Sequence, residues 1–150
     1  MSAAALDPER LASLEALVER LLPADELGPG AREAGAAQYI ERALGDAYAG
    51  HLAAYQVGLD AIDGHAVATN GRRFAELEAV TQDELVAALE HGDVPGADGA
   101  EPFFELVRRH LIEGVFGDPH WGGNVDRAGW RLLGYPGPRL VWTDDDQRLG

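Results

Sequence analysis

Apolar residues recur at three- and four-residue spacing near the start of the chain, as one face of an α-helix requires. They are Leu11, Leu14, Leu17, Val18, Leu21 and Leu22. Asp7 and Pro8 precede them, and this pair is typical of a helix start because Asp accepts orphan amide hydrogens and Pro has none to leave unpaired. Since Pro23 ends the pattern, the first predicted helix runs from Pro8 to about Leu22.

Two further helical patterns follow a turn-rich connection over residues 23–30. The first extends from Ala31 to about Leu44 and is interrupted at Gly45 and Asp46. The second, from Ala47 to about Ala68, is predicted to be the longest helix. One of its faces carries Leu52, Tyr55, Leu59 and Ile62.

Two later helices are predicted from the residues at their starts. The order Thr81-Gln82-Asp83-Glu84 is that of a capping box, in which a hydroxyl and a carboxylate satisfy backbone amides. We therefore predict a helix from Thr81 to a stop at Gly92, followed by a surface loop over residues 93–100. Pro102 opens the last helix, which ends near residues 114–117. One face of it carries Phe103, Leu106, Val107 and either His110 or Leu111.

Beyond Phe116, frequent glycines break any long periodicity, although the tail still holds Trp121, Trp130, Tyr135 and Trp142. No internal repeat and no alternating strand pattern is found. The sequence therefore predicts an all-α fold: a compact bundle of about five helices with an irregular C-terminal segment rich in glycine and aromatic residues. We expect a single domain over residues 1–150, made of a disordered tip (1–6), a helical core (7–116), a docking segment (117–142) and an acidic tail (143–150).

The composition of the chain excludes several kinds of partner, catalytic group and metal centre. The formal net charge of −14 argues against nucleic acid and anionic membranes as partners, because those surfaces need clustered cations. The chain has no Cys, which excludes disulfides, thiolate nucleophiles and Cys-ligated zinc or iron–sulfur centres. It has no Lys either, which excludes Schiff-base chemistry. Ser2 and Ser13 are the only serines, and neither lies in a Gly-x-Ser-x-Gly turn, which argues against a serine hydrolase.

The N-terminal residues lack the early positive charge and the continuous apolar stretch of a signal peptide. No later segment approaches the roughly twenty apolar residues of a membrane span. We therefore expect a cytoplasmic protein without a membrane span, which reaches the periplasm only if a partner carries it or if a leader was removed.

Two blocks of the chain resemble the gluconate 2-dehydrogenase subunit 3 family. The C-terminal block reads GVFGDPHWGGNVDRAGW over residues 114–130 and continues with RLLGYPG to residue 137. The N-terminal block reads LLPAD over residues 21–25, PGAREAG over 29–35 and YI at 39–40. Together they frame roughly residues 11–140, which is most of the chain.

The resemblance implies a non-catalytic, chaperone-like small subunit that binds the FAD-containing large subunit of a sugar or polyol dehydrogenase of the glucose–methanol–choline type. In that family the large subunit holds the flavin, so no cofactor is expected in this chain. Electrons often pass onward to a cytochrome c subunit, which would be a further partner. Better-known members carry a twin-arginine export signal that this N-terminus lacks, so the resemblance here favours folding support and complex formation.

The tail supplies the candidate partner interface. Large aromatic residues in a glycine-rich stretch cannot all be buried by a regular amphipathic face, and Trp, Tyr and Arg are enriched at interface hot spots. We expect Phe116 and Trp130 to lie mainly in the core and Trp121 and Tyr135 to face the partner. The candidate interface residues are Phe116, Asp118, His120, Trp121, Gly122, Gly123, Asn124, Trp130, Tyr135 and Pro136.

The alternative is a stand-alone helical binding protein or a metal-dependent enzyme that uses Asp118 and His120. These residues could offer an oxygen and an imidazole nitrogen to a metal, although Asp before Pro also initiates turns. No catalytic residue and no metal ligand is assigned. The Glu-x-x-His pairs of di-iron carboxylate proteins are absent, because the residues three before the histidines are Tyr48, Ile62, Ala88, Val107 and Gly117.

Overall fold

The computed structural model of the chain describes residues 4–26, 28–99, 101–117 and 119–134. Within these ranges the protein contains helices and no β-strand, which confirms the all-α prediction. The helices are α1 (Pro8–Leu21), α2 (Ala36–Leu44), α3 (Leu52–Asn70), α4 (Ala79–Glu90), α5 (Phe103–Phe116) and α6 (Ala128–Leu133). Short 3₁₀ turns lie at Ala49–His51, Phe74–Glu76, Pro119–Trp121 and Val125–Arg127.

Helix α1 lies at the centre of the bundle and contacts α2, α3, α4 and α5. It begins as predicted, because the carboxylate of Asp7 accepts a hydrogen bond from the backbone N–H of Arg10 at 2.9 Å and Pro8 is the first helical residue. Its apolar stripe is buried at Leu14, Leu17 and Val18. Four other helices therefore pack on one central helix.

Helix α2 begins at Ala36, later than the predicted start at Ala31. The reason is Gly35, whose backbone is left-handed with a φ of 68° and cannot continue a right-handed helix. Residues 31–35 form turns instead, and these turns bury Ala31 and Ala34 in the core. The apolar pattern was correctly placed, but the start of the helix was wrong.

Helices α3 and α5 confirm the predicted faces. At 19 residues α3 is the longest helix of the described chain, and Tyr55, Leu59 and Ile62 on it are fully buried. Helix α5 buries both His110 and Leu111 and ends at Phe116, and Gly117 takes the C-cap position. None of the helices in the described ranges combines the length and the apolar character that a bilayer crossing requires.

Helix α4 starts at Ala79 with Glu78 at the N-cap and no side-chain capping bond, so Thr81 lies inside the helix. The predicted capping box is therefore wrong. A tertiary contact accompanies the earlier start, because Gln82 is buried and its side-chain amide donates to the backbone carbonyl of Phe74 at 3.0 Å. The predicted stop is confirmed, since α4 ends just before Gly92, which has a φ of 79°.

Two segments predicted to be peripheral contribute to the core. In the predicted surface loop, Val94 and Ala97 are buried. In the predicted disordered tip, Leu6 is buried, and the backbone N–H of Ala5 donates to the carboxylate of Glu41 at 2.6 Å. The surface expectation is wrong at Val94 and Ala97, and Ala5 and Leu6 pack against the core. Single apolar residues in an irregular stretch have no periodicity, so their burial leaves no sequence pattern.

Candidate partner-docking site

Residues 119–134 fold against the end of α5, and this segment is named the clasp. Asn124 anchors it and is completely buried. Its side-chain amide nitrogen donates to the carbonyl of Gly117 at 2.8 Å. Its amide oxygen accepts hydrogen bonds from the backbone N–H groups of Gly129 at 2.7 Å and Trp130 at 3.3 Å. One neutral side chain thus joins the end of α5 to the start of α6.

The clasp approaches α5 backbone to backbone. A Cβ atom on Gly123 would overlap the carbonyl oxygen of Gly114, and one on Gly129 would overlap that of Val115. Only glycine allows both approaches. Trp130 packs beside this contact with 7% of its surface exposed, and its indole N–H donates to the carbonyl of Phe116 at 2.9 Å.

Two further contacts join the clasp to α2 and to the turn before it. The guanidinium of Arg42 donates to the backbone carbonyl of Gly122. The backbone N–H of Val125 donates to the carbonyl of Ala34 at 3.0 Å. The clasp is therefore fixed on one side by α5 and on the other by the α2 region.

Backbone strain is concentrated in the clasp. The non-glycine residues of the described chain with positive φ are Asn124 at 48°, Asp126 at 54° and Arg127 at 57°. Left-handed backbone costs a non-glycine residue on the order of 1 kcal/mol or more, and it persists where surrounding contacts enforce it. The buried bonds of Asn124 provide that enforcement. Such strain clusters at functional sites, which marks the clasp as a candidate.

The clasp exposes large apolar side chains. Val125 is 42% exposed and Leu133 is 64% exposed. Neither residue was identified from the sequence, because their exposure depends on how the clasp folds on α5. Both side chains are therefore accessible to a partner protein.

The charge of the chain is unevenly distributed. Residues 1–102 contain 6 arginines and 19 acidic residues, whereas residues 103–134 contain 4 arginines and 4 acidic residues. The stretch of residues 103–134, which includes α5 and the clasp, therefore has no net charge. The remainder has a strongly negative field that would repel an acidic surface.

The predicted interface residues occupy different environments. Gly123, Asn124 and Trp130 are buried, Phe116 and Gly122 are half-buried, and His120 is exposed. The expectation that Trp130 belongs mainly to the core agrees with its burial, and Phe116 packs against the core. Asp118, Tyr135 and Pro136 lie outside the described residues, as does the side chain of Trp121. Their contact with a partner stays a prediction.

The alternative role of Asp118 and His120 in metal binding also stays a prediction, because Asp118 is not among the described residues. Within the described ranges, no group of three or more histidine or acidic side chains is placed to hold a metal ion.

A second polar cluster lies where α3 and α5 meet. The hydroxyl of Tyr55 and Nδ1 of His110 are 2.9 Å apart, and the ring of Tyr48 stacks on His110 with 3.9 Å between ring centroids. Burial lowers the pKa of His110 to about 4, and the nearby charges of His51 and Arg109 act in the same direction. His110 is therefore a neutral, hydrogen-bonded residue of the helix packing at neutral pH.

The whole arrangement, from α1 to the clasp, falls within one family match. Residues 8–137 match the model of the family described as gluconate 2-dehydrogenase subunit 3. Both sequence blocks that carry the resemblance lie inside this range. No curated protein and no solved structure matches the chain. Because the family match covers most of its length, the chain belongs to the gluconate 2-dehydrogenase subunit 3 family.

Proposed function

We propose that this chain is the non-catalytic small subunit of an FAD-dependent sugar or polyol dehydrogenase, of the gluconate or glucoside type. The clasp binds the FAD-containing catalytic subunit and assists its folding or assembly. Membership of the subunit 3 family supports a role within a dehydrogenase complex. The flavin belongs to the partner, and this chain contributes contacts.

The observation that carries the proposal is the construction of the clasp. Its backbone is strained at Asn124, Asp126 and Arg127, yet buried hydrogen bonds and glycine contacts hold it in one place. On this fixed backbone Val125 and Leu133 are exposed to solvent. A fixed surface loses little conformational entropy when it binds, which favours association.

The charge distribution supports the same location. Residues 103–134, which include α5 and the clasp, balance their positive and negative charges, so this stretch lacks the net negative charge that would repel an acidic partner surface. The acidic remainder keeps the small subunit soluble and discourages binding through other faces.

Co-expression with a candidate FAD-dependent dehydrogenase large subunit from the same genome tests the proposal. We expect the two chains to elute together in size-exclusion chromatography, with one flavin per catalytic subunit in the absorption spectrum. The catalytic subunit expressed alone should give less folded, flavin-loaded protein. Separate elution together with an unchanged yield of flavin-loaded dehydrogenase would contradict the proposal.

The isolated chain provides the matching control. It contains no Gly-x-Gly-x-x-Gly fingerprint of a dinucleotide site. We therefore expect the purified chain to be colourless and to reduce no dye with gluconate or glucose. A stoichiometric yellow chromophore on the isolated chain would contradict the assignment of the flavin to the partner.

A further inference from the structure

An apolar groove of about 250 Å³ lies between the end of α1 and α5. Its apolar lining consists of Leu21, Leu22, Phe104, Leu111, Ile112 and Phe116. Arg108 is the only charged residue among the groove residues of the described chain. Ile112 is 44% exposed, so the groove has an apolar side chain accessible to a partner.

The groove is continuous with the clasp through two of its residues. The carbonyl of Phe116 accepts the indole N–H of Trp130 in the clasp. Leu22 leads into the turn where Asp25 and Gly28 exchange backbone hydrogen bonds, and Leu132 of α6 packs against Gly28. Phe116 and the turn after Leu22 therefore connect the groove to the clasp.

The size of the groove indicates the kind of occupant. Sites for small molecules usually enclose roughly 300–1,000 Å³ and bring several polar groups together. This groove is smaller and its walls are apolar apart from Arg108. It suits one or two apolar side chains from a protein segment.

The net charge of the chain and the position of Arg108 favour one kind of protein occupant over another. A second copy of this chain would bring together two molecules of net charge −14, and their repulsion opposes self-association. Arg108 is 57% exposed, and its ion pair with Glu105 spans 3.7 Å, which is too long for a good charge-assisted hydrogen bond. Its guanidinium therefore retains the capacity to bind a carboxylate of another protein.

The geometry points to the groove as the second half of the docking surface. It receives an apolar segment of the dehydrogenase's catalytic subunit, with a carboxylate of that segment against Arg108. This inference rests on the proposed function and adds to it the surface on α1 and α5 and the chemistry of the partner segment. Apolar burial contributes most of the affinity, and Arg108 contributes to orientation and to the rate of association.

The test uses the full chain and the FAD-dependent large subunit that co-elutes with it, with affinity measured by titration. Ile112→Asp should weaken binding about tenfold or more, since it places a charge in an apolar contact. Arg108→Glu should weaken binding by a smaller factor that shrinks as salt is added. Val80→Asp is the matched control, because Val80 is 70% exposed on α4 and does not line the groove. It should leave the affinity within about twofold.

Thermal unfolding of each isolated variant and sedimentation of the wild-type chain complete the test. Binding by Ile112→Asp and Arg108→Glu at wild-type affinity would overturn the groove assignment while leaving the proposed function intact. A self-associating wild-type chain that Ile112→Asp makes monomeric would assign the groove to a second copy. A loss of stability in isolated Ile112→Asp with unchanged partner affinity would assign it to this chain's own residues. Failure of the wild-type chain to bind would overturn the proposed function and this inference together.

Discussion

The helical core and the clasp each depend on one buried polar side chain. In the core, Asp63 on α3 accepts hydrogen bonds from the hydroxyl of Ser13 at 2.8 Å, from the guanidinium of Arg73 at 2.8 Å and from the backbone N–H of Phe74 at 3.1 Å. In the clasp, Asn124 bonds backbone groups only. Both are fully satisfied, as are all buried side-chain polar atoms in the described residues.

Asp63 and Asn124 differ in charge and in the sequence separation of the residues that they connect. Asp63 is paired with a cation and joins α3 to Ser13, 50 positions earlier in the chain. Asn124 is neutral and joins groups at most seven positions away. The first therefore determines how α1 and α3 assemble, whereas the second shapes one segment on a bundle that already exists. Loss of the Asp63 side chain should destabilise the whole bundle, whereas loss of the Asn124 side chain should act mainly on the clasp.

The largest effect is expected for Asp63→Ala. Removing the carboxylate leaves Arg73, Ser13 and the N–H of Phe74 without their buried acceptor, which should cost about 3–5 kcal/mol in the free energy of unfolding. Ser13→Ala should cost only about 1 kcal/mol, since the carboxylate keeps its other partners. Denaturant unfolding measures both. Equal costs for the two variants would contradict the central role of Asp63.

Mild acid should destabilise the core through His110. Its folded-state pKa of about 4 lies below the ordinary value of 6.5, so the unfolded chain binds the proton first. The stability from neutral His110 is complete above about pH 6.5, and up to about 3 kcal/mol is lost as the pH falls toward 4. His110→Gln should reduce this slope in unfolding experiments across that range. His91→Gln, at an exposed histidine, is the matched control.

Asn124→Ala should act mainly on the clasp. The change leaves buried backbone groups of Gly117, Gly129 and Trp130 unsatisfied, at a cost of about 2 kcal/mol. Hydrogen exchange should show lost protection in residues 119–134 and retained protection in α1 and α3. Asn70→Ala, at an exposed asparagine, is the matched control. Uniform loss of protection across the bundle would show that the clasp and the core form one cooperative unit.

Trp121→Ala should affect association more than folding. Trp121 lies in the 3₁₀ turn before Gly122, and we expect its indole to contact the catalytic subunit. The change should then cost roughly 2 kcal/mol of association and leave the stability of the isolated chain nearly unchanged. Titration and thermal unfolding of the same variant separate the two effects. A loss of about 3–5 kcal/mol of monomer stability with unchanged affinity would assign Trp121 to the core.

The smallest effect is expected for Thr81→Ala. Because Thr81 lies inside α4 without a capping bond, the change should alter stability by less than about 0.5 kcal/mol. A functioning N-cap would cost about 1 kcal/mol. Denaturant unfolding distinguishes these two costs, and a cost of about 1 kcal/mol would show that Thr81 does act as an N-cap.

Helix α1 could be predicted because local and tertiary preferences agree there. Asp7 caps it, and its apolar stripe is the stripe that the core buries. At α4 the two conflict, and the tertiary contact of Gln82 with Phe74 accompanies an earlier start than Thr81 suggested. Helix α2 begins only after Gly35, which has a left-handed conformation. Glycine adopts positive and negative φ about equally readily, so its presence in the sequence does not show where the helix starts.

The candidate site was located by its sequence block, but its construction was not foreseen. Asn124 is a predicted interface residue, and the structure shows that it is buried and bonds backbone groups. Because every residue carries the same backbone groups, the sequence does not show which of them Asn124 bonds. The groove brings Leu21 of α1 and Ile112 of α5 into one lining, and their separation in the sequence hides this proximity. Periodicity identifies the face of each helix, whereas the pairing of faces appears only in the folded chain.

The contact between the clasp and α5 also bears on how relatives could diversify. Gly123 and Gly129 meet carbonyl oxygens of the α5 backbone, so their fit does not depend on the side chains that α5 turns toward solvent. If the groove binds a dehydrogenase as proposed, substitutions at Ile112 or Arg108 would alter which dehydrogenase is recognised while the clasp stays in place. Partner choice and scaffold geometry can thus evolve at separate positions, and a small subunit can be re-targeted by a few surface changes.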